Sequence, residues 1–278
     1  DDYPMGRTAN KVIGRDRSKE NWPQYYDFMN RQLTELLTRY GNIRAIWFDG
    51  HWDKKEFDWR YDDIYSHIHS IKPSCLIGNN HHIAPFEGED FQMFERDLPG
   101  ENNHGWADDQ TISALPLEMC QTMNGMWGYK IADQNYKSAD ELVQLIVKAA
   151  SKGSNLLLNI GPQPDGNLPA AALDRLAGIG EWMNVYGASV YGTSATGIPE
   201  QSWGVTTRND SSLFLHLIEP LEGVEAISVP LDPSRKKVKS VKAMKDGAPL
   251  KHRISDGKLV ITLDGVPADI DYVIEVVL

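Results

Sequence analysis

The sequence predicts an α/β fold of about four βα units, followed by a small antiparallel β-sandwich. Two observations carry this. Up to about residue 187, short apolar strands alternate with helices of 3.6-residue periodicity, the pattern of βα units and a parallel sheet. After about Gly192, short alternating runs separated by turn residues take over, as expected of a sandwich of roughly 85 residues. The expected domains are residues 1–192 and 193–278. A third feature points to chemistry: the apolar run Ile43–Phe48 ends in one carboxylate, Asp49, followed by Gly50, His51 and Trp52.

The first twenty residues read as irregular and charged. Pro23 suits the first turn of a helix that runs to Tyr40 and stops at Gly41. Tyr25, Phe28, Met29, Leu33, Leu36, Leu37 and Tyr40 form its apolar face. The strand to Asp49 follows. Ile64, Ile68 and Ile71 mark a second helix, closed before Pro73. Cys75–Gly78 reads as a second strand, leading into Asn79-Asn80-His81-His82, and Ile83 to Ala114 as a long polar loop. Glu118–Asn124 reads as a third strand. Ser138 and Glu141 make a capping box for a helix with a Leu142, Leu145, Ile146, Ala149 stripe, ended by Gly153. Asn155–Ile160 is apolar enough for a strand covered on both faces. A last helix spans about Pro169 to Tyr186. The sandwich strands are expected at Leu213–Leu217, Val224–Val229, Val238–Met244, Lys258–Leu263 and Tyr272–Val277, with turns at Asn209-Asp210, Asp232-Pro233, Asp246-Gly247 and Asp256-Gly257.

Composition narrows the function classes. A hydrophobic fraction of 41% supports a packed core. A net charge of −11 argues against nucleic acid or an anionic membrane as the main partner. No run approaches the roughly 18 apolar residues of a membrane span. The N-terminus has no signal-peptide core, although a leader can be cleaved. Cys75 and Cys120 each lie in an apolar segment and are read as buried thiols. Four βα units make half of an eight-stranded barrel. Either the fold is a smaller open sheet, or this chain lacks an N-terminal half.

At the C-terminal end of a barrel strand, where such folds place their chemistry, Asp49 is either a turn cap or a working carboxylate between two tryptophans. Glycoside hydrolysis needs a second carboxyl group across the scissile bond. Glu95 is the candidate, because its apolar neighbours Met93 and Phe94 are expected to raise its pKa toward that of a general acid. Glu118 and Glu89 are its rivals. His81-His82 lacks the companion ligands of a metal site, so neither a metal nor a cofactor is expected. His67 and His69, two residues apart on a helix, point away from each other and read as surface or interface histidines.

From about Asp2 to Thr193 the chain resembles the C-terminal portion of the family 29 glycoside hydrolases, the α-L-fucosidases. The stretches that carry the resemblance are Gln32–Leu37 with Tyr40-Gly41, Trp47-Phe48-Asp49-Gly50, Met123–Tyr129, Ser151–Pro162 and Asp165-Gly166. The resemblance implies the second half of a (β/α)8-type barrel plus a C-terminal sandwich. It implies Asp49 as the nucleophile and Glu95, 46 positions later, as acid/base, with Met-Phe in place of the family's Thr-Pro before the glutamate. It places Trp47 against the fucose and Trp127 near the sugar's methyl face, where core packing is the other reading. His81 stands where many members have an arginine that binds near the nucleophile, and it is expected with Trp47 and Trp127 among the substrate-binding residues. The expected activity is retaining, exo-acting α-L-fucosidase. The expected partners are a fucosylated oligosaccharide or glycoconjugate, plus an N-terminal half of the barrel or further copies of the chain. A secreted or periplasmic location goes with that reading. The alternative is a non-catalytic carbohydrate-binding or scaffold chain, or a half-enzyme inactive without its partner.

Overall fold

A computed structural model describes residues 18–107, 110–231, 237–263 and 269–278. The expected irregular start, through residue 17, and the turn at Asp232-Pro233 lie outside the described residues. The chain divides into two compact units, Asp1–Glu118 and Met119–Leu278. This line falls well before residue 192, where the secondary structure changes style, because packing and local pattern follow different boundaries.

In the first unit, α1 (Ser18–Arg39) begins a turn earlier than Pro23, which sits inside it. Its buried stripe is Tyr26, Leu33 and Leu37 with Met29; Leu36 and Tyr40, expected inward, are exposed. Strand β1 (Ala45–Asp49) pairs in parallel with β2 (Leu76–Asn80), placing Asp49 beside Asn80. Between them, α2 (Tyr61–Ile71) buries Ile64 and Ile68 completely against Leu33, Leu37 and Ile77. Ile46 and Phe48 of β1 pack on that same cluster. Strand side chains alternate faces, so Ala45, Trp47 and Asp49 point the other way. His67 Nε2 lies 2.8 Å from Thr34 Oγ1 and His69 Nε2 lies 3.1 Å from the Cys75 carbonyl, so the two rings do point apart.

The segment read as one long loop holds a strand. β3 (Phe91–Glu95) pairs in parallel with β2, Gly78 opposite Phe91 and Asn79 opposite Gln92. The interruption of the apolar run by Gln92 hid it. That glutamine is buried because its amide fastens the following loop: Nε2 donates to the Thr111 carbonyl at 2.7 Å and Oε1 accepts from Ser113 N at 2.8 Å. Gly78 is required by close approach, since a Cβ there would lie 2.3 Å from the Phe91 ring.

β4 (Leu117–Thr122) straddles the two units, and β5 (Ser154–Asn159) belongs to the second; the sheet order β1-β2-β3-β4-β5 follows the chain. Five strands replace the expected four units, and the segment between β2 and β3 contains no helix. The sheet is not covered on both faces: Trp47 is 37% exposed, Leu76 50% and Leu157 46%. In the second unit, α3 (Ala139–Ser151) starts with the capping box read from the sequence: Glu141 N donates to Ser138 Oγ at 3.1 Å, and Ser138 N to Glu141 Oε2 at 2.7 Å. It buries Leu142, Val143, Val147 and Ala149 rather than Leu145 and Ile146. α4 (Ala170–Tyr186) follows.

The C-terminal segment forms two antiparallel sheets. The first contains β6 (Ser194–Ala195), β7 (Gly204–Arg208), β8 (Ser212–Leu217), β10 (Ser240–Ala243) and β13 (Tyr272–Val277), in the order β10-β13-β8-β7-β6. The second contains β9 (Ala226–Pro230), β11 (His252–Ser255) and β12 (Lys258–Thr262), in the order β11-β12-β9. All five expected strands are present, while β6, β7 and β11 carried too little apolar alternation to be read. Leu215, Val229, Leu259, Ile261, Ile274 and Val276 fill the space between the sheets. Phe214, Val205 and Val273 face Val143, Val147, Trp182 and Tyr186 of α3 and α4. Cys75 and Cys120 are buried free thiols.

Replacing Gly78 with Ala forces the Phe91 ring off the sheet. We expect a loss of roughly 1–3 kcal/mol by urea denaturation, part of it restored when Phe91→Ala is added. Additive losses in the double variant would show that the two positions do not meet.

Candidate active site

Three strands end on three polar side chains: Asp49 closes β1, Asn80 closes β2 and Glu95 closes β3. The ends of adjacent parallel strands lie together, so residues remote in sequence converge. Asn80 Nδ2 donates to Glu95 Oε2 at 2.8 Å and to Asp49 Oδ1 at 3.4 Å. These two distances together bound the separation of the two carboxylate oxygens at about 6.2 Å. Asn80 Oδ1 is buried with no hydrogen-bond partner among the described residues. An unmade bond costs roughly 1–3 kcal/mol. The opposite amide orientation is worse, because it would aim that oxygen at both carboxylates.

Asp49 is fixed from the other side by its own loop. Gly50 adopts φ 102, which turns the chain into the short 3-10 segment His51–Asp53. That turn brings Trp52 back over the strand end, where Nε1 donates to Asp49 Oδ1 at 2.9 Å. Among the described residues, no donor reaches Oδ2. Glu95 is also approached by His82, whose Nε2 lies 3.4 Å from Oε2. His82 and Arg96 both take left-handed backbone, φ 62 and φ 63. Each such conformation costs an ordinary residue roughly 1–2 kcal/mol. Two in this position mark a segment held in place by its surroundings.

The electrostatics of Glu95 correct the expectation from sequence. Burial does push its pKa up, but hydrogen bonds from His82 and Asn80, with the charges of His82 and Arg96, outweigh it and hold the carboxyl below the usual value. The apolar residues Met93 and Phe94 are neighbours in sequence; Asn80 at the end of β2 and His82 just beyond it are neighbours in space. Glu118 behaves in the opposite way: burial raises its pKa, only partly offset by a hydrogen bond from Trp47. Trp47 lies opposite Gly78, one side-chain layer below the Asp49–Asn80 pair. It shares a face with Asp49 and stays partly exposed.

Glu89 is fully buried. It accepts from Tyr65 Oη at 3.0 Å and meets His81 Nε2 at 3.0 Å, while Asn79 Nδ2 donates to Tyr65 Oη at 3.1 Å. The other nitrogen of His81 accepts from Ile83 N at 3.2 Å. Both nitrogens of His81 are thus taken by a closed network against α2. The imidazole that reaches a strand-end carboxylate is its neighbour, His82. Nothing in the dipeptide distinguishes the two, since backbone direction after β2 decides which ring turns inward. Asn80, by contrast, had a readable signal: like Asp49, it is a polar residue at the end of an apolar strand. Trp127 lies in the second unit, half-buried, and its carbonyl accepts from Asn159 Nδ2 at 2.7 Å. His51, hydrogen-bonded to Tyr61 Oη at 3.0 Å, is pushed down to about 4 by burial, then by His81 and Lys55, so it is neutral at pH 7. Among the described residues, no group of three or more His, Cys, Asp or Glu is placed to hold a metal ion.

Two strand-end carboxylates are joined by one amide, with tryptophans alongside, and a model of the family described as Alpha-L-fucosidase matches residues 5–188. The chain belongs to the α-L-fucosidase family. It is 25% identical over 238 residues to the human tissue α-L-fucosidase, covering 80% of this chain and 46% of that protein. The Dictyostelium discoideum α-L-fucosidase is 25% identical over 217 residues, covering 74% and 44%. Among solved structures, α-L-fucosidase isoenzyme 1 of Paenibacillus thiaminolyticus superposes with a TM-score of 0.74 at 30% identity, covering 92% of this chain and 62% of that one. The Thermotoga maritima α-fucosidase, solved with a mechanism-based inhibitor, gives 0.70 at 26%, covering 92% and 57%. The chain therefore spans slightly under half the length of these curated relatives. Its α/β fold, with a parallel-strand half-barrel sheet and separate antiparallel sheets, matches the family's solved structures.

If Asn80 holds Glu95 ionised, its removal has a defined sign. Replacing Asn80 with Ala deletes a donor to the charged form, so the Glu95 carboxyl should titrate at a higher pH than in the parent. Carboxyl 13C NMR titration measures this directly. An unmoved or lowered titration would mean that the amide does not stabilise the carboxylate.

Proposed function

We propose that this chain carries the two working carboxylates of a retaining, exo-acting α-L-fucosidase, within a catalytic region of residues 1–192. The observation that supports this best is the pair of hydrogen bonds from Asn80 Nδ2. A span of at most about 6.2 Å between Asp49 Oδ1 and Glu95 Oε2 falls short of inverting sites, about 6.5–9.5 Å, and approaches the 5–5.5 Å of retaining ones. The mechanism-based inhibitor bound by the Thermotoga maritima relative agrees with covalent chemistry.

In this reading Asp49 Oδ2, which no donor among the described residues reaches, attacks the anomeric carbon of a terminal α-L-fucosyl residue. The bond to the leaving oxygen breaks, its electron pair stays on that oxygen, and Glu95 supplies the proton. The Asp49–fucosyl ester then yields to water, whose proton returns to Glu95. Glu95 is preferred over Glu118, which is tied to Trp47 one layer deeper, and over Glu89, which is sealed in its network. Trp47 and Trp127 are assigned to the sugar. A terminal fucose of an oligosaccharide or glycoconjugate is the substrate, and no metal or cofactor takes part.

The exposed inner face at Trp47 and Leu76 calls for a cover. The reading therefore includes an N-terminal polypeptide, or further copies of the chain, that completes the barrel. Light scattering after size exclusion should show the 278-residue chain associating, alone or with that polypeptide. A cooperative 31.3 kDa monomer that hydrolyses fucosides would overturn this part of the reading.

Asp49→Ala should remove nearly all turnover, with azide restoring some of it. Near-normal kcat in this variant would refute the nucleophile. Glu95→Ala should slow substrates with basic leaving groups far more than activated aryl fucosides. Proton NMR should find the α-anomer of fucose as first product, since release of the β-anomer is incompatible with two displacements.

A further inference from the structure

Beyond Glu95 the polar row continues outward. The His82 ring, 3.4 Å from Glu95 Oε2, meets the Trp106 ring edge-on, with centroids 5.9 Å apart and planes at 68°. His104 packs on the same indole at 5.2 Å. His104 is fixed in turn: its Nδ1 lies 2.8 Å from Asp97 Oδ1, and its backbone N donates to Asp97 Oδ2 at 3.0 Å. The chain after the indole is pinned where Ala107 N donates to Asn102 Oδ1 at 3.0 Å. Trp106 is nevertheless 45% exposed. A single exposed aromatic is ordinary. An indole packed against two imidazoles, one of which lies within reach of Glu95, is a surface held out to solvent in a defined place.

That place has a chemical meaning. A general acid must come within about 2.6–3.2 Å of the oxygen it protonates. The ring that leaves with that oxygen therefore lies on the outer side of Glu95, where His82 and Trp106 stand. A pyranose offers a face of C–H groups and a rim of hydroxyls. An indole face suits the first, and imidazole nitrogens suit the second. We propose that Trp106, with His82 and His104, forms a subsite for the hexopyranose on the leaving-group side of the scissile bond. The proposal rests on Glu95 being the acid/base of a fucosidase.

The test compares two substrates on the native protein, with whatever N-terminal polypeptide it carries. α-L-Fucosyl fluoride has no leaving-group ring, whereas an α-L-fucosyl-galactose disaccharide does. For Trp106→Ala, kcat/KM should fall about tenfold further on the disaccharide than on the fluoride. Trp106→Phe should restore most of that difference. Equal losses on both substrates, or no loss on the disaccharide, would overturn the subsite. If the parent protein hydrolyses neither substrate, the fucosidase reading fails separately. The subsite is then read by titrating methyl β-D-galactopyranoside and following the indole N–H resonance that disappears in Trp106→Phe. A shift upholds a sugar platform, and a resonance that stays in place at the highest soluble sugar concentration rejects it.

Discussion

The in-register parallel pairing of β1 with β2 is the constraint on which the candidate site depends. It sets Asp49 beside Asn80 at the same level of the sheet, and the β2–β3 pairing then brings Glu95 within reach of the same amide. A slip of one residue would turn each of these side chains to the opposite face. Register is secured below the site by apolar packing: Ile46, Phe48 and Ile77 bury against α1 and α2, while Gly78 leaves room for Phe91. The chemistry at the strand ends thus inherits its geometry from the hydrophobic layer beneath it.

Two carboxylates close together repel, and burial alone would favour protonating one of them. The structure answers with donors. Asn80 serves both groups, Trp52 serves Asp49, and His82 serves Glu95. The balance holds the Glu95 carboxyl below its usual pKa, favouring the charged form. A general acid must carry a proton when substrate is bound, so under the proposed mechanism arrival of the sugar has to change this balance. An incoming glycosidic oxygen that displaces a donor from Glu95 Oε2 supplies such a change.

Much of both units was legible in the chain. The apolar run ending at Asp49 and the Ile64, Ile68, Ile71 stripe in the first, and the Ser138–Glu141 capping box in the second, are local patterns with local causes. β3 was not legible, because a buried glutamine interrupts it and the loop carbonyls and amides that satisfy Gln92 lie about twenty residues away. β5 read as a strand covered on both faces, yet Leu157 is open. The apolar character of a strand records its side chains, and which of them are covered is decided by the elements packed against it.

By itself the sequence determined that an aspartate ends an apolar strand, that an acid follows 46 residues later, and that motifs between Gln32 and Gly166 resemble those of α-L-fucosidases. Those are matters of local propensity and motif, which survive in one dimension. Only the tertiary structure decided which acid meets Asp49, that Asn80 joins them, that His82 rather than His81 turns toward Glu95, and that Glu95 is held ionised. Each of these depends on distances between strands, and strand neighbours are set by pairing and packing across tens of residues. The same holds for Trp106: in the chain it is one tryptophan in a polar loop, and in the fold its ring meets His82, which reaches Glu95.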